Sequence, residues 1–325
     1  MKPEEMPEER PLLDWARKVC PESPRKRVKE WLASGRFYLD GQVVTQANLR
    51  ISDPGPALTL GPPDSSVASW VHRKRIHPKV TVLYLDESLA IVDKGAGLLS
   101  VPGEGSASGS ALQVLGDYLN NPRGDALRRR LFKSPEYVRP LPVHRLDQYT
   151  SGLLCIALNG DSRAVLIAQL RGHELLREYL AFSDGRTRER AGTWRHYLRL
   201  DRTGFRQELF PEPVPGAVEA VTHYEEEACF PRHGVSKLKI RLETGLKHQI
   251  RIQAAAEGLP LIGDRLYHKG TIKALARKGA TLPYGFRRQA LHASTIGLQH
   301  PLDGRELRFD SPLPADLARL QGRLE

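Results

Sequence analysis

The feature that most constrains this chain is a polar segment that runs directly into a short apolar one. Residues 144–152 read His-Arg-Leu-Asp-Gln-Tyr-Thr-Ser-Gly, and residues 153–158 read Leu-Leu-Cys-Ile-Ala-Leu. An apolar run of this length predicts a buried strand, which would hold the loop before it rigidly. The pattern therefore favours a sheet with a functional loop at its edge. On its chemistry alone, however, an Asp beside an Arg at a strand edge is more often a structural ion pair than a catalyst.

Composition places the chain among globular proteins and favours an anionic partner. Its 325 residues are 40% apolar and 27% charged, enough for one large core and a smaller second domain. Lys and Arg number 49 against 38 Asp and Glu, a formal net charge of +11. Such an excess favours a polyanion, because each phosphate that a cation neutralises releases counterions. The same excess can serve solubility only, so charge alone does not decide.

The cysteines and the start of the chain favour a soluble cytoplasmic protein. Cys20, Cys155 and Cys229 form no C-x-x-C pair, so neither a disulfide nor a zinc site is expected. Residues 1–10 are acidic and rich in Pro and Glu, which predicts a flexible start without the apolar core of a signal peptide. No apolar run approaches the length of a bilayer span, so no membrane association is expected.

Residues 11–61 predict a small domain. A helix is predicted from Arg25 to Leu32, ending at Gly35. A hairpin that turns on Asp40-Gly41 follows, and residues 58–60 would add a closing strand. One face of the helix is rich in Arg and Lys, which is either ordinary solvated surface or a nucleic-acid contact.

Residues 62–75 predict a linker, because they open with Pro-Pro-Asp-Ser-Ser, and residues 76–325 a second domain. Val80–Leu85 and Leu89–Val92 predict a hairpin at its start.

Further elements are predicted beyond the buried strand. Asp161 is placed to cap a helix that ends near Gly172. Arg177–Phe182 predicts a strand that carries Tyr179, and a short helix after Gly245 carries His248, Arg251 and Ala255.

Five motifs, in order, resemble those of RNA pseudouridine synthases of the RluA type, from about residue 80 to residue 320. They are His144-Arg145-Leu146-Asp147 with Thr150-Ser151-Gly152, Arg177-Glu178-Tyr179, Glu243-Thr244-Gly245 with His248-Gln249-Ile250-Arg251, Gly263-Asp264 with Tyr267, and Leu291-His292-Ala293 with His300-Pro301. Residues 11–61 resemble the alpha-L RNA-binding domain first described in ribosomal protein S-four, which is often found in front of this family. That second resemblance implies that Arg25, Arg27, Lys29 and Arg36 bind phosphates without sequence preference.

The resemblance implies a reaction and roles for three side chains. Conversion of uridine to pseudouridine needs one ionised carboxylate and a pocket that retains the detached base, with no metal, redox group or other cofactor. Asp147 would be that carboxylate, acting as nucleophile or as base on the ribose. Arg251 would be its ion-pair partner, and Tyr179 would lie over the uracil and assist proton removal from C5.

The resemblance also implies that the target uridine flips out of its helix, and that Arg145 fills or clamps the gap. His144, Lys247 and His248 are further candidates for RNA backbone contacts, or else polar groups that support the loop. The chain departs from the usual family pattern at three positions: it has Leu246 in place of a basic residue, Arg177 in place of Lys, and Gly95 in place of Pro. These departures affect how the protein contacts RNA rather than the reaction itself.

The expected fold is α+β: a mixed, largely antiparallel sheet flanked by short helices around a basic cleft, preceded by the alpha-L domain. The expected partner of this monomer is structured RNA, with ribosomal RNA favoured over transfer RNA by analogy with the family. Two alternatives remain. A hydrolase with paired carboxylates would need a second acid at Asp264 or Glu243. A catalytically silent RNA-binding or ribosome-assembly factor would not need Asp147.

Overall fold

The computed structural model describes residues 9–33, 36–44, 47–61, 71–103, 109–121, 137–277 and 279–325. The chain divides into two compact units, Met1–Val71 with Asp303–Arg305, and His72–Leu302 with Glu306–Glu325. Residues 1–8 of the predicted flexible start, residues 62–70 of the predicted linker, and Gly35 lie outside the described residues. Among the helices of the described ranges, none has the length and apolar character needed to cross a membrane.

The first unit packs two short helices, α1 (Leu12–Val19) and α2 (Arg25–Ala33), on a small sheet. Apolar residues at helical spacing pack together on the inner faces because this removes them from water. The buried members of this core are Leu12, Leu13, Trp15, Ala16, Val28, Leu32, Phe37 and Leu58. The predicted helix from Arg25 to Leu32 is confirmed, with one more residue at its end.

The strands of the first unit are short. Its strands are β1 (Arg10–Pro11), β2 (Phe37–Leu39), β3 (Gln42–Val44), β4 (Arg50–Ile51) and β5 (Leu58–Leu60). β2 pairs with both β3 and β5, and β1 pairs with β4. Asp40 at φ 52° and Gly41 at φ 75° form the turn between β2 and β3. Two successive positive φ angles match the twist of a hairpin, so the predicted hairpin and closing strand are confirmed.

The second unit is built on a large sheet. Its strands are β6 (Val71–His77), β7 (Val80–Leu85), β8 (Leu89–Lys94), β9 (Leu141–Pro142), β10 (Ser151–Ala157), β11 (Leu176–Asp184), β12 (Ala191–Leu200), β13 (Gln207–Phe210), β14 (Val218–Phe230), β15 (Val235–Leu242), β16 (Leu291–Gln299) and β17 (Glu306–Asp310). The order is β13-β12-β14-β15-β11-β16-β10-β8-β7-β6, with β17 beside β16 and β9 beside β10. The β10–β16 pair is parallel, whereas the neighbouring β10–β8 and β11–β16 pairs are antiparallel. The mixed, largely antiparallel sheet was correctly predicted.

The apolar run at residues 153–158 forms most of β10, and all seven residues of this strand are buried. Leu154 and Ile156 belong to the core on one face of the sheet, and Leu153 and Cys155 to the core on the other. A strand covered on both faces has to be apolar throughout rather than alternating. β10 is thus a rigid base for the loop that precedes it.

In the described ranges of this unit, five helices accompany the sheet: α3 (Ala111–Asn120), α4 (Gly160–Arg171), α5 (Gln249–Ala256), α6 (Lys269–Leu275) and α7 (Ala315–Leu324). Leu115 of α3 and Leu166 of α4 pack into the two cores that β10 separates. The prediction that Asp161 caps α4 was wrong. The side chain of Asn159 accepts from the Ser162 backbone N–H instead, and Asp161 lies in the first turn.

Gly152 explains how β10 lies so close to β16. Its φ is +115°, and a Cβ at this position would lie 2.1 Å from the carbonyl oxygen of Ala293, its partner in the parallel pair. Only a residue without a side chain permits this approach. The start of β10, and with it the end of the polar loop, is therefore fixed against β16.

Candidate active site

A cavity of about 580 Å³ lies where the loop before β10 meets α4, β11 and the segment between β15 and α5. Asp147, Tyr179 and Arg251 all line it. These three residues come from separate parts of the chain, so the fold brings together the three side chains to which the sequence analysis gave catalytic roles.

The loop that carries Asp147 is held by its neighbours on both sides. Leu146 is buried, and its backbone exchanges two hydrogen bonds with the Ser100 hydroxyl, at 2.8 and 2.9 Å. The Thr150 N–H donates to the Asp147 carbonyl at 3.0 Å, which closes a turn. These contacts fix the backbone at Asp147 before any substrate binds.

Arg251 lies between two carboxylates. Its Nη1 donates to Asp147 Oδ2 at 2.9 Å, while Nε and Nη2 donate to the two oxygens of Asp264 at 2.5 and 3.0 Å. Burial would lower the pKa of Arg251, but the carboxylates of Asp264 and Asp147 outweigh it and raise that pKa above its ordinary value. The guanidinium is therefore permanently charged and its plane is fixed by the bidentate pair with Asp264.

Tyr179 forms one wall of the cavity. It lies on β11 between β15 and β16, paired with Ile240 and Ala293, and its side chain is buried. Burial raises the pKa of its phenol, with a smaller lowering effect from Arg177 and a raising effect from Asp147. The phenol is therefore neutral near pH 7 and offers a flat aromatic face beside the carboxylate.

Two histidines near Asp147 are neutral at pH 7. Burial lowers the pKa of His248 to about 4, although the Asp147 carboxylate opposes it. His248 Nε2 lies 4.0 Å from Asp147 Oδ2, and its Nδ1 shares a hydrogen bond with the Tyr267 hydroxyl at 3.1 Å. Its left-handed φ of 57° at the start of α5 aims the ring this way.

His144 supports the buried strand. Burial, and then Arg177, lower its pKa to about 3. Its Nε2 accepts from the Cys155 N–H at 3.0 Å, so the proton is on Nδ1, which has no hydrogen-bond partner among the described residues. This geometry favours the supporting role that the sequence analysis left open.

The other positions predicted to bind RNA differ in their surroundings. Arg145 is exposed and lines the cavity. Lys247 donates instead to the Gly204 carbonyl at 2.8 Å, with its ammonium 5.7 Å from the centre of the Phe205 ring. Lys247 is not among the residues that line the cavity.

In the first unit, Arg25, Arg27 and Lys29 of α2 are exposed. Arg25 lies 3.3 Å from Asp14 across the two helices. Arg36 is half-buried; its Nε donates to the Gly61 carbonyl at 3.1 Å, and its guanidinium lies 5.1 Å from the centre of the Trp31 ring. Arg36 therefore has a structural role as well as a positive charge.

The hydrolase alternative needed a second, unengaged acid. Both oxygens of Asp264 are bound by Arg251, and Oδ1 also accepts from the N–H groups of Leu266 and Tyr267. Glu243 is bound to His223 at 2.5 Å. Of the two carboxylates that line the cavity, Asp147 is the one paired with Arg251, whereas Glu243 is held by His223. This arrangement does not match an acid and base pair that share one substrate.

Sequence reasoning missed two residues that position this site. Asp264 was considered only as a second acid, although Gly263-Asp264 belongs to the motifs that carry the resemblance. Lys94 was given no role, yet it is completely buried at the end of β8. Its ammonium donates to the carbonyls of Gly95, Leu98 and Gln148, at 3.2, 2.9 and 3.2 Å. Gln148 follows Asp147, so Lys94 supports the loop that carries Asp147.

We expect Lys94 to make the stability of the protein depend on pH. Burial lowers its pKa from 10.5 to about 7, and the Asp147 carboxylate only partly opposes this. Between pH 7 and 10.5 the unfolded chain then binds more protons than the folded one, so this residue makes stability rise with pH, by up to about 1.4 kcal/mol per pH unit. Urea unfolding at several pH values in this range gives the free energy of unfolding of the wild type and of Lys94→Met. We expect this free energy to rise more steeply with pH in the wild type than in the variant. Parallel slopes would contradict the assignment.

The chain is similar to bacterial pseudouridine synthases along most of its length. The chain is 34% identical over 319 residues to the ribosomal large subunit pseudouridine synthase D of Xanthomonas campestris, covering 94% of this chain and 86% of that relative. The Pseudomonas aeruginosa protein of the same name is 31% identical over 308 residues, with 93% and 88% covered. The Escherichia coli K12 protein of the same name is 29% identical over 311 residues, with 93% and 86% covered.

A solved structure supports the fold. That of the human protein named RNA Pseudouridylate Synthase Domain Containing 4 matches with a TM-score of 0.55 and 22% identity, covering 75% of this chain and 92% of the human one.

The family model described as RNA pseudouridylate synthase matches residues 88–256, just over half of the chain. The match spans Asp147, Tyr179 and Arg251 together with strands β8 to β15 of the large sheet. From this match and its bacterial relatives, the chain belongs to the RNA pseudouridylate synthase family.

Proposed function

We propose that this enzyme converts a specific uridine of ribosomal RNA into pseudouridine, with Asp147 as the reacting carboxylate. The observation that carries the proposal is the 2.9 Å pair between Asp147 and Arg251 in a cavity that Tyr179 also lines. Ribosomal rather than transfer RNA is proposed because the bacterial relatives are named for the large ribosomal subunit.

The reaction is an isomerisation and needs no reagent besides the protein. The bond from ribose C1′ to N1 breaks, the uracil rotates, and a bond forms from C1′ to C5. The proton that leaves C5 is balanced by one gained at N1. Asp147 either attacks the ribose or removes a proton from it, and in both cases it has to be ionised. Arg251 donates to it at 2.9 Å and places a positive charge beside it.

Tyr179 and Arg145 complete the proposed mechanism. The buried phenol ring of Tyr179 lies over the uracil face, retains the detached base while it turns, and assists loss of the C5 proton. Flipping the uridine costs a few kcal/mol. Exposed Arg145, on the same loop as Asp147, recovers part of this by filling or clamping the gap in the RNA.

We further propose that residues 11–61 are an alpha-L RNA-binding domain, residues 62–75 a linker and residues 76–325 the catalytic domain. The exposed Arg25, Arg27 and Lys29 on α2 support this, because such side chains bind phosphates irrespective of sequence. A cytoplasmic location is proposed because the bacterial relatives are named for the large ribosomal subunit. A monomer is proposed because Asp147, Tyr179 and Arg251 of one chain line the same cavity.

Mapping of pseudouridines with carbodiimide tests the substrate. RNA from cells with and without the gene is treated, and reverse-transcription stops are compared across ribosomal and transfer RNA. We expect one or a few stops in large-subunit ribosomal RNA to depend on the gene. Stops lost from transfer RNA alone would reject the ribosomal assignment, and an unchanged map would reject the proposed activity.

A further inference from the structure

A second cavity of about 800 Å³ lies beside the catalytic loop, and we call it the basic groove. Its positively charged lining residues are Lys79, Arg265, Arg287, Arg288, Arg319 and Arg323. All of these except Arg288 are exposed. Arg288 is buried and bound at 2.7 and 3.0 Å by Asp316, the acidic residue of the lining. The groove therefore has a strong excess of positive charge over negative.

Within the part of the chain that the structure describes, the exposed cations of the groove have no acidic partners. Among the described residues, no carboxylate lies within ion-pair distance of Lys79, Arg265, Arg287, Arg319 or Arg323. Arg319 and Arg323 are four residues apart on one face of α7, whereas Leu320 and Leu324 of the same helix are buried. Like charges at this spacing repel each other in a helix. A polyanion in the groove would relieve that repulsion.

The groove and the active site share their loops. Asp147 faces the active-site cavity, and Tyr149, two residues later, lines the groove with 41% of its surface exposed. Asp264 holds Arg251, and the next residue, Arg265, has its guanidinium 5.7 Å from the centre of the Tyr149 ring. Arg288 Nη1 donates to the Tyr149 carbonyl at 3.1 Å, which fixes this arrangement.

We propose that the basic groove binds the RNA strand next to the target uridine. Phosphates contact the exposed cations, and a base flanking the uridine stacks on the Tyr149 ring beside Arg265. An aromatic ring beside a guanidinium offers a stacking surface to any base, whereas free cations at a groove suit a phosphate backbone. The inference rests on the proposed function, because it places the flipped uridine in the neighbouring cavity.

The test separates the groove from the chemistry. The substrate is ribosomal RNA with C5-tritiated uridine from cells that lack the gene, and the assay is release of tritium. The variants are Arg319→Gln with Arg323→Gln, Tyr149→Ala and Tyr149→Phe. The matched control is Arg195→Gln with Arg199→Gln on β12, which removes the same charge from exposed arginines paired with Glu219 and Glu208.

We expect KM for the RNA to rise about tenfold in the Arg319 and Arg323 double variant and in Tyr149→Ala. At saturating RNA, kcat should stay within about twofold of the wild type. The slope of log KM against log salt should fall by about 1 to 2 in the double variant. Tyr149→Phe should behave as the wild type, since the ring and not the hydroxyl stacks, and the control pair should change KM little.

The proposal would be overturned if the groove variants had the same KM as the control pair. It would also be overturned if the groove variants lowered kcat and left KM unchanged. If the wild type releases no tritium, the proposed function is wrong. The groove can then still be tested by filter binding of the same RNA, and equal affinities of the wild type and the Arg319 and Arg323 double variant would reject the role of the groove. Melting temperatures within a few degrees of the wild type show that each variant is folded.

Discussion

Asp147→Asn is expected to abolish pseudouridine formation while leaving the protein folded and able to bind RNA. Asparagine has the size of aspartate but neither attacks the ribose nor accepts a proton. Among the described residues, Glu243 also lines the cavity but is bound by His223, and Asp264 is bound by Arg251, so neither is expected to replace Asp147. Loss of the reacting group should lower the rate by at least about 10⁴-fold. Tritium release from C5-tritiated ribosomal RNA measures this.

The matched control is Asp161→Asn, which removes one negative charge from the exposed first turn of α4. It should keep activity within about twofold, since the residue does not line the cavity. Residual activity of Asp147→Asn within tenfold of the wild type would show that another group performs the reaction. Unchanged affinity for RNA would at the same time show that the variant fails in chemistry and not in binding.

The parts of the fold that could be predicted depend on local patterns. β10 was predictable because a strand covered on both faces is apolar throughout, and the β2–β3 hairpin because Asp40-Gly41 suits a turn with positive φ angles. The cap of α4 was misplaced by two residues, from Asn159 to Asp161, because both side chains can accept the same kind of hydrogen bond.

The site was only partly predictable. Asp147, Tyr179 and Arg251 were proposed through a family resemblance, since nothing in local sequence indicates contact between residues about a hundred positions apart. Lys94 could not be distinguished from a surface lysine, because its role depends on three carbonyls that the tertiary fold brings around it. Lys247 was a candidate either for an RNA backbone contact or for support of the loop. Its hydrogen bond to the Gly204 carbonyl, 43 positions away, could not be predicted from the sequence.

The bidentate pair between Arg251 and Asp264 is expected to control stability as well as activity. Arg251→Met removes the partner of Asp264, which has no exposed surface, and leaves a buried carboxylate uncompensated. Loss of one member of such a pair costs about 3–5 kcal/mol. Urea unfolding should show this loss directly. Tritium release should fall at least about 100-fold, because Asp147 also loses the hydrogen bond and the positive charge that Arg251 places beside it.

A double variant separates the two effects. Adding Asp264→Asn to Arg251→Met neutralises the buried carboxylate while its side-chain oxygen still accepts from the N–H groups of Leu266 and Tyr267, at 2.8 and 3.1 Å. We expect the double variant to recover much of the lost stability and none of the lost activity, because Asp147 remains without its partner. If the effects on stability were simply additive, the pair would not be coupled as the geometry requires. If activity returned with stability, Arg251 would act on the fold alone and not on the reacting carboxylate.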